Sequence, residues 1–263
     1  MTIVKKHGLP SWGLGLVGLA GLVVVLEAVP RIGLVSPRFL PPFSEMMRAL
    51  AGELGRPAFW TAVGETVKAW GLGLLIAIVV GVGLGLLIGS VPLLRRATSS
   101  TIEFLRPIPS VALIPLAILM FGTKIQSSLL LIVYASVWQV LIQVLYGVQD
   151  VDPVARETAR SYRFGAVAYL RYVLWPTALP YVMTGVRLAA TVALVLAITA
   201  ELVIGSPGLG SEIAVAQSSG AVATMYALVI VTGVFGVLVN LVARGLERRT
   251  LSWHPSLRAE TLV

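Results

Sequence analysis

Six stretches of this chain, at about 12–29, 67–89, 101–122, 127–148, 180–204 and 221–242, are apolar over the length needed to cross a bilayer. The hydrocarbon core requires about 20 such residues, each rising about 1.5 Å along a helix. Backbone groups inside that core find no water, so each run must satisfy its own hydrogen bonds as a helix. The expected fold is therefore an all-α membrane protein with six transmembrane helices. Composition agrees, with 57% of the 263 residues hydrophobic and 12% charged, where soluble domains carry about 25% charge. A soluble enzyme and a disordered chain are both excluded. The first run follows Lys5 and Lys6, as a secretory signal would. It ends Glu27-Ala28-Val29-Pro30 with no small-x-small cleavage site, so it reads as a retained helix.

The net charge is +8. In a soluble chain that would point to nucleic acid. Here the arginines lie between apolar runs, so no nucleic-acid partner is expected and lipid headgroups are. Six spans put both termini on one side. Arg95, Arg96, Arg106, Arg156, Arg160, Arg163, Arg171, Arg187, Arg244, Arg248 and Arg249 then share that side with Lys5, Lys6 and Arg258, against Arg31, Arg38, Arg48, Arg56, Lys68 and Lys124 on the other. The positive-inside bias makes it the cytoplasmic side, in the inner membrane of a bacterium. There are no cysteines, and only His7 and His254 represent histidine. Thiolate chemistry and histidine-based metal sites are out, and both histidines read as solvated. Trp12, Trp60, Trp175 and Trp253 fall where interfacial tryptophans belong.

Three segments depart from plain spans. In the second run Gly73, Ala77, Gly81, Gly85 and Gly89 stand four residues apart. Such a ridge of small residues admits another helix closely, either within a bundle or at a dimer seam. The third run is interrupted by Glu103, Arg106, Pro107, Pro109 and Pro115. Glu103 and Arg106 are spaced to pair on one helix face. Between the first two runs, Ser44 is placed to cap a short helix. Met46, Leu50 and Leu54 recur every four residues along it, as in a helix lying on the outer interface.

Between the fourth and fifth runs lies a polar segment, 149–179. Asp152-Pro153 is a helix start, with Asp capping free N–H groups and Pro at the first helical position. Val154, Ala155, Thr158, Ala159 and Tyr162 form one small-to-apolar face. Arg156, Arg160 and Arg163 form the other, with Glu157 within pairing distance of Arg156 or Arg160. Gly165 interrupts, and a second short helix is expected over 167–174. A helix pair of this kind fits a groove on another protein, or the headgroup layer.

Glu157-Thr158-Ala159, with Pro176 beyond it, resembles the EAA loop of ABC-importer permeases. Ala178-Leu179-Pro180-Tyr181, Thr184-Gly185-Val186-Arg187-Leu188, and Glu201 followed by Gly208-Leu209-Gly210 are similar to the same family. Leu105-Arg106-Pro107-Ile108-Pro109 and Ile114-Pro115-Leu116-Ala117-Ile118 resemble its nitrate, sulfonate and taurine branch. The likeness covers about residues 60–245. One departure stands out. The family's loop has glycine where this chain has Arg163, and the glycine here is Gly165, so the turn is expected to have moved to it.

The resemblance implies a type I ABC-importer permease fold with cytoplasmic coupling helices. It implies a second permease copy, most simply as a homodimer, two ATPase subunits and an extracytoplasmic solute-binding protein. Gly122-Thr123-Lys124 is too short for a phosphate loop. The chain itself is expected to be no enzyme and to hold no cofactor, with ATP and Mg on the partner ATPase. The ATPase-coupling residues would be Arg156, Glu157, Thr158, Ala159, Tyr162, Arg163 and Gly165. Candidates for the substrate pathway are Gln139, Gln143, Thr184, Arg187, Thr191 and Glu201, since polar side chains inside a span should not face lipid. Gln139, Gln143 and Tyr146 fall within one helical sector. The expected organisation is an N-terminal helix (1–30), an outer interfacial segment (31–60), a core permease domain (61–245) and a cytoplasmic tail (246–263). The solute would be small and anionic. The residues alone also allow a self-contained channel or secondary transporter.

Overall fold

The computed structural model describes residues 11–253. His7, His254, Lys5, Lys6, Arg258 and the side chain of Trp12 lie outside what it describes. The helices in chain order are α1 (Ser11–Arg31), α2 (Phe43–Leu54), α3 (Pro57–Ser90), α4 (Pro92–Leu105), α5 (Ile114–Phe121) and α6 (Ile125–Gln149). They continue with α7 (Pro153–Ser161), α8 (Ala166–Tyr169), α9 (Trp175–Ile204), α10 (Leu209–Ser218) and α11 (Val222–Thr250).

Five helices are long and apolar enough to span a membrane, and one further pair, Pro92–Leu105 with Ser110–Phe121, has the composition of a broken sixth span or a re-entrant loop. The third run is not the single helix expected over 101–122. α4 ends at Leu105, and a 3-10 turn at Ser110–Leu113 leads into α5, with the two halves bent by 82°. Pro107 and Pro109 supply the cause, since neither has an N–H with which to continue the helical hydrogen-bond ladder. The second run is longer than expected. α3 begins at Pro57, with proline in the first turn where its missing N–H costs nothing.

The small-residue ridge on α3 is filled from within the chain. A Cβ on Gly73 would meet Ile132 at 2.5 Å, and one on Gly81 or Gly85 would meet Val140 or Val144 at 2.7 Å. Gly89 would meet Val148 at 2.9 Å. Ile132, Val140, Val144 and Val148 of α6, on one four-residue row with Ser136, interlock with the ridge, as helices packing through their i, i+4 rows do. The ridge is therefore not free to serve as a dimer seam. α9 carries a second ridge at the same spacing, Gly185, Ala189, Ala193 and Ala197, all buried. A Cβ on Gly185 would lie 3.1 Å from the Val140 backbone. α6 is thus held between two rows of small residues, and these three helices form the centre of the bundle.

α2 forms as expected, but Ser44 does not cap it. Glu27 of α1 does so instead, accepting from the Ser44 N–H at 2.9 Å and from its hydroxyl at 2.9 Å, while Arg31 closes on Glu27. Met46 is buried and α2 packs on α11, whereas Leu54 stays exposed. The second short helix of the 149–179 segment is also not separate. Ala166–Tyr169 passes through a π-helical turn, Leu170–Leu174, directly into α9.

Candidate coupling surface and translocation path

At one end of the bundle, α7 crosses between the last turn of α6 and the start of α8. Asp152 accepts from the Val154 N–H at 2.7 Å and Pro153 follows it, so the helix starts as the sequence requires. Ala159 is 4% exposed and seats the helix on the bundle. Around it Val154 (70% exposed), Tyr162 (76%) and Val167 (79%) stand free, beside Glu157, Thr158 and Arg156. Among the described residues Glu157 makes no ion pair, so the expected pairing with Arg156 or Arg160 is absent. Apolar side chains this exposed in a polar segment fit a surface covered either by another protein or by the headgroup layer.

The turn after α7 corrects the reading of Arg163. Phe164 N–H donates to Ala159 O and Arg163 N–H to Arg160 O, both at 2.9 Å. This pair of bonds is a Schellman closure, whose left-handed residue is usually glycine. Here Arg163 itself takes that conformation, at φ 55°. The turn has not moved. Gly165 has an ordinary φ of −67° and merely begins α8.

On the flank of the bundle, the bend between α4 and α5 leaves a half-open cavity of about 320 Å³. Gln139 lines it, together with Arg106, Ser110, Trp138, Val192 and Leu196. Tyr134 donates from its hydroxyl to Leu105 O at 2.7 Å and so pins the end of α4 to α6. The expected Glu103–Arg106 pair is not formed among the described residues. A second cavity, of about 640 Å³, lies towards the α7 end and shares Arg106 and Pro107 with the first. Tyr146, Gln149, Arg95 and Glu103 line it. Gln139 and Tyr146 therefore face successive cavities. Gln143 packs against Gly185, where a Cβ would come within 3.0 Å of its own.

The remaining pathway candidates separate. Thr184 and Thr191 lie on an exposed face of α9 and turn their hydroxyls back to Pro180 O and Arg187 O. Arg187 faces Glu247 of α11 at 3.6 Å, which ties those helices near the α7 end. Glu201 stands apart from both cavities and is 0% exposed. Its Oε2 accepts from the Thr66 hydroxyl and from the Gly210 N–H, each at 2.9 Å. Thr66 in turn accepts from the Leu209 N–H at 2.8 Å. This network fastens the start of α10 to α3 and α9.

Sequence reasoning missed Trp138 and Thr66. Trp138 stands within an apolar run and Thr66 just before one, and neither position carries a motif. Arg106 had been read as a structural partner of Glu103. Its signal was there: an arginine between proline breaks, inside an otherwise apolar run. Among the described residues no group of three or more His, Cys, Asp or Glu side chains is placed to hold a metal ion.

Residues 73–252 match the family described as binding-protein-dependent transport system inner membrane component. The chain is 31% identical to the taurine transport system permease protein TauC of Escherichia coli (strain K12), over 90% of this chain and 88% of that protein. It is 30% identical to the putative aliphatic sulfonates transport permease protein SsuC of Bacillus subtilis (strain 168), over 96% and 90%. It is 28% identical to the bicarbonate transport system permease protein CmpB of Synechococcus elongatus, over 93% and 94%. The fold matches a chain of the inward-facing MetNI methionine ABC transporter with a TM-score of 0.61, at 18% identity, over 78% of this chain and 97% of that one. The central bundle, the broken third span and the exposed α7 are therefore those of a transport permease rather than an enzyme, and the chain belongs to the binding-protein-dependent transport system inner membrane component family.

Proposed function

We propose that this chain is the membrane half of an ATP-driven importer for a small anionic solute. The relatives named above handle taurine, aliphatic sulfonates and bicarbonate. What these share is a small charged head rich in oxygen. A second copy of the chain completes the path, two ATPase subunits carrying ATP and Mg grip the α7 segments, and a binding protein delivers solute on the opposite face. The termini and α7 are cytoplasmic by the positive-inside bias. The single observation that carries the coupling assignment is α7 itself. It is capped, seated through Ala159, and ringed by exposed Val154, Tyr162 and Val167.

In this arrangement Ala159 is the seat and Val154, Glu157, Thr158 and Tyr162 form the contact. Closing of the ATPase pair pulls on α7. Because α8 runs through the π turn into α9, the pull passes without a hinge into the helix that packs on α6. Gln139 belongs to the path, Gln143 to the packing of α6 on α9, Arg187 to the frame that holds α9 on α11, and Glu201 to the anchor of α10.

The test is co-expression of a tagged chain with its cognate ATPase subunit. Val154→Asp and Tyr162→Asp should lose ATPase copurification and uptake, while the permease still inserts and elutes as a folded species. Unchanged copurification and unchanged uptake in both variants would overturn the docking assignment.

A further inference from the structure

The cleft between α7 and the rest of the bundle carries charge that the coupling assignment does not use. It is half-open, with a volume of about 630 Å³. The start of α4 contributes Arg95, and α7 contributes Arg156 and Arg160. On α7 these two are one turn apart and flank the buried Ala159, so they share the side turned towards the bundle. Arg95, Arg156 and Arg160 make no ion pair among the described residues. No carboxylate lines the cleft. The acids nearest in sequence are engaged or turned elsewhere. Asp150 accepts from the Tyr181 hydroxyl at 2.9 Å, Asp152 caps α7, and Glu157 lies on its exposed side.

Like charges around a concave surface raise the local concentration of anions. The hydroxyls of Ser90 and Tyr169 add donors to the same cleft. A guanidinium can grip a phosphate through two parallel N–H···O bonds, and several arginines together suit an ion with more oxygens than a carboxylate has. Depth narrows the source. Ser90 ends α3 and Gln149 ends α6, and both line the cleft. Both helices are long and apolar enough to cross a membrane. The cleft therefore lies where the spans leave the hydrocarbon, at the level of the lipid headgroups. Its floor is apolar, made by the buried Val148 and Leu174, and Val91 and Leu93 stand exposed at the adjoining corner of α3 and α4. An acyl chain can lie along that corner while its head enters the cleft.

We infer that this cleft is a binding site for a phosphate group, which bridges α7 to the start of α4. A lipid headgroup and a free phosphate present the same oxyanion, and the depth of the cleft favours the lipid. Arg156 and Arg160 then have a task distinct from that of Val154 and Tyr162: they hold the inner side of α7 in place. The site depends neither on the solute carried nor on ATPase docking.

The test uses the full-length chain with its ATPase subunit in lipid nanodiscs. Phe164, which lines the cleft, is replaced by the photocrosslinker p-benzoylphenylalanine. The bilayer is phosphatidylcholine, with or without a minority of phosphatidylglycerol, and adducts are identified by mass spectrometry. Phosphatidylglycerol should be captured in excess of its share of the bilayer. Arg95→Gln and Arg160→Gln should each cut that capture about tenfold, as expected for the loss of one charge-assisted hydrogen bond. Arg96→Gln, outside the cleft, should leave it unchanged, and gel filtration checks folding in each variant. In a second arm, inorganic phosphate is titrated into the complex in a phosphorus-free detergent and followed by the broadening of its phosphorus NMR line. Arginine-dependent lipid capture supports the site with a lipid source. Arginine-dependent broadening without lipid capture supports the site with a soluble source. Absence of both signals, an equal loss in Arg96→Gln, or an adduct with the ATPase polypeptide in place of lipid would each overturn it. If no ATPase copurifies, both arms run on the permease alone, so this site and the importer reading fail separately.

Discussion

Replacing Gly81 with alanine tests whether α6 is locked between two ridges. A Cβ at Gly81 would lie 2.7 Å from Val140 Cβ, 2.9 Å from its Cγ1 and 3.2 Å from Val137 O. Carbon atoms at rest sit about 3.5–4.0 Å apart, so α3 and α6 must separate by about 1 Å. α6 has nowhere to retreat, because its far side meets Gly185, where the Val140 backbone is already within 3.1 Å of a Cβ position. Overpacking of this kind costs about 1–3 kcal/mol. Against it stands alanine's helix preference, about 1 kcal/mol over glycine. Gly83 is the internal control. It lies on the same helix, and a Cβ there meets nothing within 4 Å, so Gly83→Ala keeps the gain without the clash.

The difference between the two variants is then about 2 kcal/mol. For a chain of this size that is about 4–8 °C in Tm. The assay is thermal unfolding of the purified protein in detergent, followed by tryptophan fluorescence. Adding Val140→Ala to Gly81→Ala should recover part of the loss, because the added methyl then fills the space vacated by the valine. Contacting residues of this kind show coupling of about 0.5–3 kcal/mol. Equal Tm values for Gly81→Ala and Gly83→Ala would refute the interlocking, as would strict additivity with Val140→Ala.

Three further outcomes follow from the geometry. Arg163→Gly should preserve or strengthen ATPase copurification, since a left-handed non-glycine residue costs about 1–2 kcal/mol, while Gly165→Ala should change nothing measurable in the same pull-down. Thr66→Val removes the donor to Glu201 and the acceptor for Leu209 N–H; at about 1–3 kcal/mol for a buried group left unmatched, hydrogen exchange across α10 should quicken by about one to two orders of magnitude. Arg187→Glu and Glu247→Arg should each lower stability singly, and the double exchange should restore most of it, as read by a double-mutant cycle in the detergent Tm.

Much of this molecule was legible because the membrane restricts the choices. Span count followed from six apolar runs, and the start of α7 from Asp152-Pro153. What could not be read was which surfaces the spans would consume. The ridge at Gly73–Gly89 announced close packing but not its partner. The partner row, Ile132, Val140, Val144 and Val148, consists of ordinary membrane residues and carries no signature. The second ridge, Gly185 to Ala197, was equally regular, yet it sat within a segment notable for other motifs. Pairings failed for a related reason. Glu103–Arg106 and Glu157 with Arg156 or Arg160 are spaced correctly on a helix. Spacing permits a pair, but in water or beside a donor-rich cavity the long side chains gain little by closing it.

The turn after α7 shows the same limit from the other side. A glycine two residues past the expected position invited the inference that the turn had shifted. Local propensity favours that answer, since glycine alone takes positive φ freely. The register of the segment is set by contacts on both sides of the turn. Ala159 must be buried for α7 to sit on the bundle, and α8 must begin at Ala166 to run unbroken into α9. Moving the turn to Gly165 would lengthen α7 by two residues, rotate it by about 200° at about 100° per residue, and displace the start of α8. Keeping the turn where it is costs one left-handed arginine, about 1–2 kcal/mol. Losing the seat of Ala159 and breaking the α8–α9 continuity would cost more than that. The strain at Arg163 is thus the smaller of two penalties, and it is carried at the point where the segment turns from the coupling surface back into the membrane.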